Sequence, residues 1–345
     1  MTDIVADIGG TNARFALARQ GQIGAPVKLL CADFSGIEQA LETVFTQLTP
    51  EHPPTRLSLA VAGTVADDEV MISNNHWRFS KYQLKSRFGL DALTVINDFT
   101  AQALGVTCYL KEDGLFTMDK ATMNKATMDE ATMDENSPHI QLLREGTADT
   151  DTPIAVLGPG TGLGFSALIP AQGYMVPLET EGGQVGLAAQ TQEEESLLAA
   201  IRSGQRHDRL VAEDILSGRG LVTLYNHLGD NKLDTEQAAM LQILAENGEA
   251  QANKAIIHFL NFLGNYIASA ILHLGAKQAV YICGGITPRL QKFLPQSAFF
   301  DRITHHDRFS DFIADVPVYL VQDNASGLRG SAVALDNPAC AHRRI

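Results

Sequence analysis

Cysteine is scarce in this chain, and the four residues present, Cys31, Cys108, Cys283 and Cys340, stand far apart. No CxxC pair and no cysteine-histidine cluster occurs, so neither a zinc site nor a disulfide framework is indicated, and a reducing compartment fits best. Basic residues are in the minority, with 26 Lys and Arg against 40 Asp and Glu and a formal charge of −14. The only basic cluster is Arg343-Arg344. Nucleic acid is therefore not expected as a partner, because phosphate backbones are bound through clustered cations that release counterions. The N-terminal residues lack a basic stretch followed by an apolar core and a small-residue cleavage site, and no run of about 18 apolar residues appears elsewhere. No membrane association is expected, and the cytoplasm is the expected location.

What is present is an ordinary globular composition, 45% hydrophobic and 19% charged over 345 residues, long enough for two domains with separate cores. Ile4 to Ile8 is apolar except for Asp7; Gly9-Gly10-Thr11-Asn12 then turns the chain and Ala13 to Ala18 returns, which predicts a hairpin with a glycine tip. Val27 to Cys31 is a third strand candidate. Gly36 to Leu48 places Ile37, Leu41, Val44, Phe45 and Leu48 at helical spacing, and Arg56 to Ala62 reads as a strand. Leu93 to Ile96 is a short strand closed by Asn97-Asp98, after which Phe99 to Val106 starts a helix. Hairpin strands mixed with strand-helix alternation predict an α/β domain with a mixed sheet.

Residues 117–136 break this pattern with four pentads, TMDKA, TMNKA, TMDEA and TMDEN. Their period matches neither a helix face nor a strand face, and they read as a low-complexity surface insertion. Beyond them, Ile154 to Leu157 runs into Gly158-Pro-Gly-Thr-Gly-Leu-Gly164. Helical patterns follow at Glu193 to Ser203, Ala212 to Leu216, Leu221 to Leu228, Thr235 to Asn247 and Asn253 to Leu274. Ala279 to Cys283 is a strand ending at Gly284-Gly285, Val316 to Val321 is another, and Ala325 to Leu335 is a terminal helix.

Each glycine-rich junction alone is compatible with a tight turn and nothing more. Two of them, however, combine glycines with a hydroxyl residue, Thr11 in one and Thr161 in the other, and the first follows a strand that carries Asp7. A carboxylate can hold hydrated Mg²⁺, and unobstructed amides can hold phosphate oxygens. Neither junction is a Walker A loop, since no lysine follows the glycines, and neither is a dinucleotide fingerprint opening a helix. An acidic chain that binds a nucleotide must do so through such local devices.

Two phosphate-type loops about 150 residues apart on separate hairpins, with a third glycine pair, resemble the architecture shared by actin and hexokinase. VADIGGTNARFALA, SNNHW, VINDFTAQA, LGPGTGLG, TEGGQVGLA, AEDILSGRGL, ICGGI and PVYLVQDNASGLRGSA resemble, in order and across nearly the whole chain, the successive signatures of bacterial glucokinases. The resemblance implies an actin-like ATPase (ribonuclease H-like) α/β fold, with two mixed-sheet domains flanking a cleft. The expected domains are residues 1–107 plus 324–345, and 108–323. It implies ATP and Mg²⁺ as co-substrate and metal, glucose as acceptor, and a homodimer.

Carried over by position, the resemblance makes Asp98 the base for the attacking 6-hydroxyl, with a helix N-cap as its alternative role. Asn97, Asn74, Glu181, Gln184 and Glu213 become sugar ligands. Phosphate contacts fall to Gly9, Gly10, Thr11, Asn12, Thr161 and Gly162, the adenosine side to Gly284 and Gly285, and Asp7 acts on the metal through water. Gln184 departs from the family, which has a histidine there and an acid where this chain has Gly186, so a kinase for another hexose is the alternative enzyme. Trp77 could line a sugar cleft or sit in a core. A non-catalytic sugar sensor is the alternative of a different class, although no helix-turn-helix segment or cysteine-rich zinc motif is seen.

Overall fold

The computed structural model describes residues 3–19, 22–48, 54–110, 139–204 and 209–345; the pentads at 117–136 lie outside them. The chain divides into two compact units. The first comprises Met1–Asp134, Leu168–Glu179 and Asp323–Ile345, and the second Glu135–Ala167 and Thr180–Gln322.

In the first unit, β1 (Asp3–Ile8) and β2 (Asn12–Arg19) form the predicted antiparallel hairpin, with Asp7 opposite Arg14 and Ile8 opposite Ala13. β3 (Gln22–Ile23) and β4 (Val27–Leu30) both pair with β2. After helix α1 (Ile37–Leu48), β5 (Arg56–Val61) adds parallel to β1. A small hairpin, β6 (Glu69–Met71) and β7 (Arg78–Ser80), leads into α2 (Lys81–Phe88), which Ser80 caps and a left-handed Gly89 ends. β8 (Ala92–Asn97) then adds parallel to β5, and α3 (Asp98–Val106) follows directly. The order is β3-β2-β1-β5-β8. β1, β5 and β8 are buried on both faces, which explains why they read as continuous apolar runs rather than alternating ones.

The second unit repeats the plan. β10 (Ile154–Pro159) and β11 (Leu163–Ala171) are sheet neighbours joined by a three-residue glycine turn, and β13 (Ala279–Ile282) and β14 (Val318–Val321) add in parallel beyond β10. In sheet order β12 (Tyr174–Glu179), assigned with Leu168–Ala171 to the first unit, comes next to β11, and β9 (Ile140–Arg144) closes the other edge antiparallel to β14. The core is helical: α4 (Gln192–Ser203), α5 (Gly218–Leu228), α6 (Ala238–Glu246) and α7 (Ala250–Leu274) bury Leu198, Leu224, Leu241, Phe259, Phe262 and Ile267 together. α7 is the one described helix long and apolar enough to cross a membrane, but 78% of that stretch is buried, so its apolarity is spent on this core.

Two helix expectations are corrected here. Ala212 to Leu216 is only a 3-10 turn, Ala212–Asp214, because Asp214 bonds back to Val211 N and Ser217 already caps α5. The pattern from Thr235 to Asn247 is split, since Gln237 reaches back to Asp234 N and closes a separate turn before α6.

The chain returns to the first unit with α8 (Ser326–Asp336). α1 and Trp77 cover one face of the first sheet, and α8 covers the other, setting Leu328, Ala332 and Leu335 on Val5, Ala16 and Ala18. α8 crosses α3 backbone to backbone. A Cβ on Gly330 would lie 1.6 Å from Ala101 O, and one on Gly105 would lie 2.2 Å from Ser326 O, so only glycine fits at either position.

Candidate active site

The carboxyl ends of β1, β5 and β8 lie in one register line, with Ile8 beside Val61 and Val61 beside Asn97. The turn after β1, the Ala62-Gly63 corner and the start of α3 therefore open on one edge of the sheet, where α/β proteins place ligands. Asp7, one residue inside that edge, lies 3.6 Å from Arg14 Nη1, whose guanidinium also donates to Asn324 O at 2.8 Å. Burial pushes the Asp7 carboxyl above the usual carboxylate range, and the attraction of Arg14 only partly opposes it. Gly327 opens space beside this acid, because a Cβ there would stand 3.0 Å from the carboxyl carbon.

Gly9 N donates to Asn12 O at 3.0 Å and closes the turn, while Cys31 N donates to Thr11 O at 2.9 Å. Gly10 lies against the Ser73 and Asn74 carbonyls, where a Cβ would come within 3.1 Å of either oxygen. Thr11 is exposed, and Asn12, half-buried, opens β2.

At the third corner, Asn97 is the helix cap. Its Oδ1 accepts from Phe99 N at 2.8 Å and Thr100 N at 3.2 Å, and its Nδ2 donates to Gly63 O at 3.3 Å. The cap role foreseen as an alternative for Asp98 thus belongs to its neighbour. Asp98 is the first helical residue, half-buried, and accepts from Phe99 N at 2.9 Å. An acid suits the positive end of the α3 dipole. Asn74 is exposed with φ of 55°, and Asn75 is the residue that reaches the turn. Trp77, 1% exposed, is a core residue, and that reading replaces the one that had it lining a cleft.

The second unit gathers its candidates around Gly160–Gly162. Gly160 N donates to Gly162 O, and the first amide of α5, Gly218 N, donates to Gly160 O at 2.9 Å. Thr161 is exposed at the tip. Gly284, at φ of 85°, sits under the end of β10, where a Cβ would fall 2.5 Å from Pro159 O; Gly285 beside it is open. Position and left-handed conformation both require glycine at 284. Glu213 ties this turn to α5, one carboxylate oxygen on each. Oε2 accepts from Leu163 N at 2.9 Å and Oε1 from Arg219 Nη2 at 3.0 Å. Gly162 lets it approach, since a Cβ there would meet Oε2 at 2.4 Å. Glu181 and Gln184 bracket the 3-10 turn Gly182–Gln184 with exposed side chains. Ala212 N donates to Val185 O at 2.8 Å, which ties that segment to the one carrying Glu213.

The sequence candidates thus fall into two clusters, one on each unit. Asp7, Gly9, Gly10, Thr11, Asn12, Asn74, Asn97 and Asp98 form the first. Thr161, Gly162, Glu181, Gln184, Glu213, Gly284 and Gly285 form the second. Arg14 and Arg219 were not singled out by sequence, although NARF and SGRGL contain them.

A family model described as glucokinase matches residues 4–338. A curated glucokinase from Chromohalobacter salexigens is 37% identical over 339 residues, covering 97% of each chain. This chain belongs to the glucokinase family. A second member, the glucokinase of Paramagnetospirillum magneticum, is 35% identical over 343 residues, covering 97% of this chain and 98% of its own. The crystal structure of a glucokinase from an Antarctic psychrotroph superposes with a TM-score of 0.80 at 31% identity, covering 97% of this chain and 98% of that one. The fold is accordingly the actin-like ATPase class of sugar kinases, and the duplicated hairpin-plus-parallel-strand plan is its expression in this glucokinase-family chain.

Proposed function

We propose that this protein transfers the γ-phosphoryl group of ATP to the 6-hydroxyl of D-glucose, releasing glucose 6-phosphate and ADP in the cytoplasm. The observation that carries the reading is Asp98, presented at the first position of α3 by the Asn97 cap, on the same sheet edge as the Gly9–Asn12 turn. Phosphoryl transfer to an alcohol needs a carboxylate to accept the hydroxyl proton and donors for the phosphate charge. Asp98 accepts that proton. Asn97 keeps one amide hydrogen beyond its bond to Gly63 O for a sugar hydroxyl, and Asn74, Glu181, Gln184 and Glu213 supply further polar groups. Gly9, Gly10, Thr11, Asn12, Thr161 and Gly162 receive phosphate oxygens, and Gly284 and Gly285 leave room for the adenosine side.

Among the described residues no group of three or more His, Cys, Asp or Glu side chains could form a metal cage. Asp7 alone fits a hydrated Mg²⁺, which typically takes one or two carboxylates plus substrate phosphates. When bound, Mg²⁺ would offset the charge on the transferring phosphate. We also propose a functional division at residues 107/108 and 323/324, which differs from the compact units in keeping Leu168–Glu179 with the second part, and a homodimer, the latter checked by light scattering.

The test is a coupled assay of glucose-dependent ADP release by the wild type and Asp98→Ala. Turnover unchanged by the substitution would refute the base. The exposed Gln184 keeps a second reading open, a kinase for another hexose, and kinetics across a hexose panel decide between them.

A further inference from the structure

The first glycine turn is gripped through its carbonyls. Gly9 O accepts from Asn75 Nδ2 at 3.3 Å and from the Cys31 thiol at 3.7 Å. Asn75 is itself pinned, because its Oδ1 accepts from Trp77 N at 3.0 Å, and the buried Trp77 ring donates Nε1 to Cys31 O at 3.2 Å. Asn74, in the left-handed region, bends the Ser73–Trp77 segment under the turn so that its carbonyls touch Gly10.

A trans peptide points its C=O and the following N–H in opposite directions. With Gly9 O drawn toward Asn75 and Cys31, the Gly10 N–H must point away from them, and it finds no acceptor among the described residues. A flip of this one peptide would replace a donor by a carbonyl oxygen that repels phosphate.

We propose that Asn75 is a positioning residue that locks the Gly9–Gly10 peptide with its amide turned outward to a nucleotide phosphate oxygen. The proposal rests on reading this turn as a phosphate site, and Asn75 need not touch the reacting atoms. Asn75→Asp keeps the shape and the acceptor for Trp77 N but replaces the donor to Gly9 O by a charged oxygen. Asn75→Ala removes both without adding charge.

The experiment titrates MgADP calorimetrically into the full-length wild type and both variants, beside steady-state kinetics. Losing one well-placed hydrogen bond and its peptide orientation should raise the ADP Kd about tenfold in both. The KM for glucose should stay within about twofold, and kcat at saturating nucleotide within about threefold. Unchanged ADP affinity in Asn75→Ala overturns the proposal, as does a loss confined to Asn75→Asp. Should Asn75→Ala not fold, Asn75→Asp is titrated at low and high salt, and a loss that disappears at high salt overturns the lock in favour of simple repulsion. A wild type that binds ADP without glucose turnover fails the functional reading alone. A wild type that turns glucose over while both variants bind ADP normally fails the lock alone.

Discussion

Replacing Gly330 by alanine tests how tightly α8 holds α3, and through it Asp98. The added methyl would start 1.6 Å from Ala101 O and 2.7 Å from Gly105 N, whereas ordinary contact begins near 3.4 Å. Nothing there can rotate aside, since the obstacles are backbone atoms, so the helices would have to part by about 1.8 Å. Overpacking of this kind costs about 1–3 kcal/mol and occasionally more, and a rigid backbone obstacle places it at about 4 kcal/mol. Alanine returns about 1 kcal/mol through its better helix propensity. A net loss of about 3 kcal/mol corresponds to roughly 6–12 °C in Tm for a unit of this size. The displacement falls one turn from Asp98, and misplacing a catalytic group by about 1 Å can cost about a hundredfold in rate. Differential scanning fluorimetry and the coupled kinase assay read both effects. A Tm within about 2 °C of wild type with unchanged kcat would show that the crossing does not position the acid.

Asp98→Asn, nearly isosteric, should lower kcat by about 10²–10⁴-fold while calorimetric ADP binding and Tm stay close to wild type. Glu213→Gln should loosen the second glycine turn, and Arg219→Gln, which removes a largely exposed ion-pair partner, should raise the KM for glucose no more than about fivefold; a hundredfold effect would mean that Arg219 contacts a substrate. Asp7 has a folded pKa above its unfolded value, so between the two the native state holds a proton that the unfolded state lacks. Stability therefore falls as pH rises through that window, and the penalty is complete above it. Asp7→Asn should be more thermostable than wild type at pH 7, less so as pH approaches 4, and impaired in turnover; an advantage that grew in acid would contradict this sign. Deleting 117–136 should leave kcat/KM within about twofold if the pentads carry no chemistry.

The strands of both sheets that carry glycine turns were legible because apolar runs ended at glycine, as in Ile4–Ile8 and Ile154–Leu157. The partner strands were harder. β11 and β12 are half-buried with irregular alternation, and β9 is an edge strand, so no clean period of two marks them. Asn97 and Asp98 were read as a pair, but the division of labour between them depends on backbone geometry: Asn97, at φ of −64° and ψ of 146°, is still extended and can cap, whereas Asp98 is already helical. Glu213 was legible as a polar candidate, yet its bond to Leu163 N spans 50 residues and no local pattern carries it. The grip of Asn75 and Cys31 on Gly9 has the same character, contact between segments remote in sequence.

The arrangement of α8 bears on how the molecule is made. Val5, Ala16 and Ala18 are buried against Leu328, Ala332 and Leu335, residues translated more than three hundred codons later. At ribosomal speeds of about 5–20 residues per second, one side of the N-terminal hairpin stays bare for roughly 15–60 seconds. The first unit is thus completed only after α8 has been synthesised, long after its N-terminal hairpin has left the ribosome.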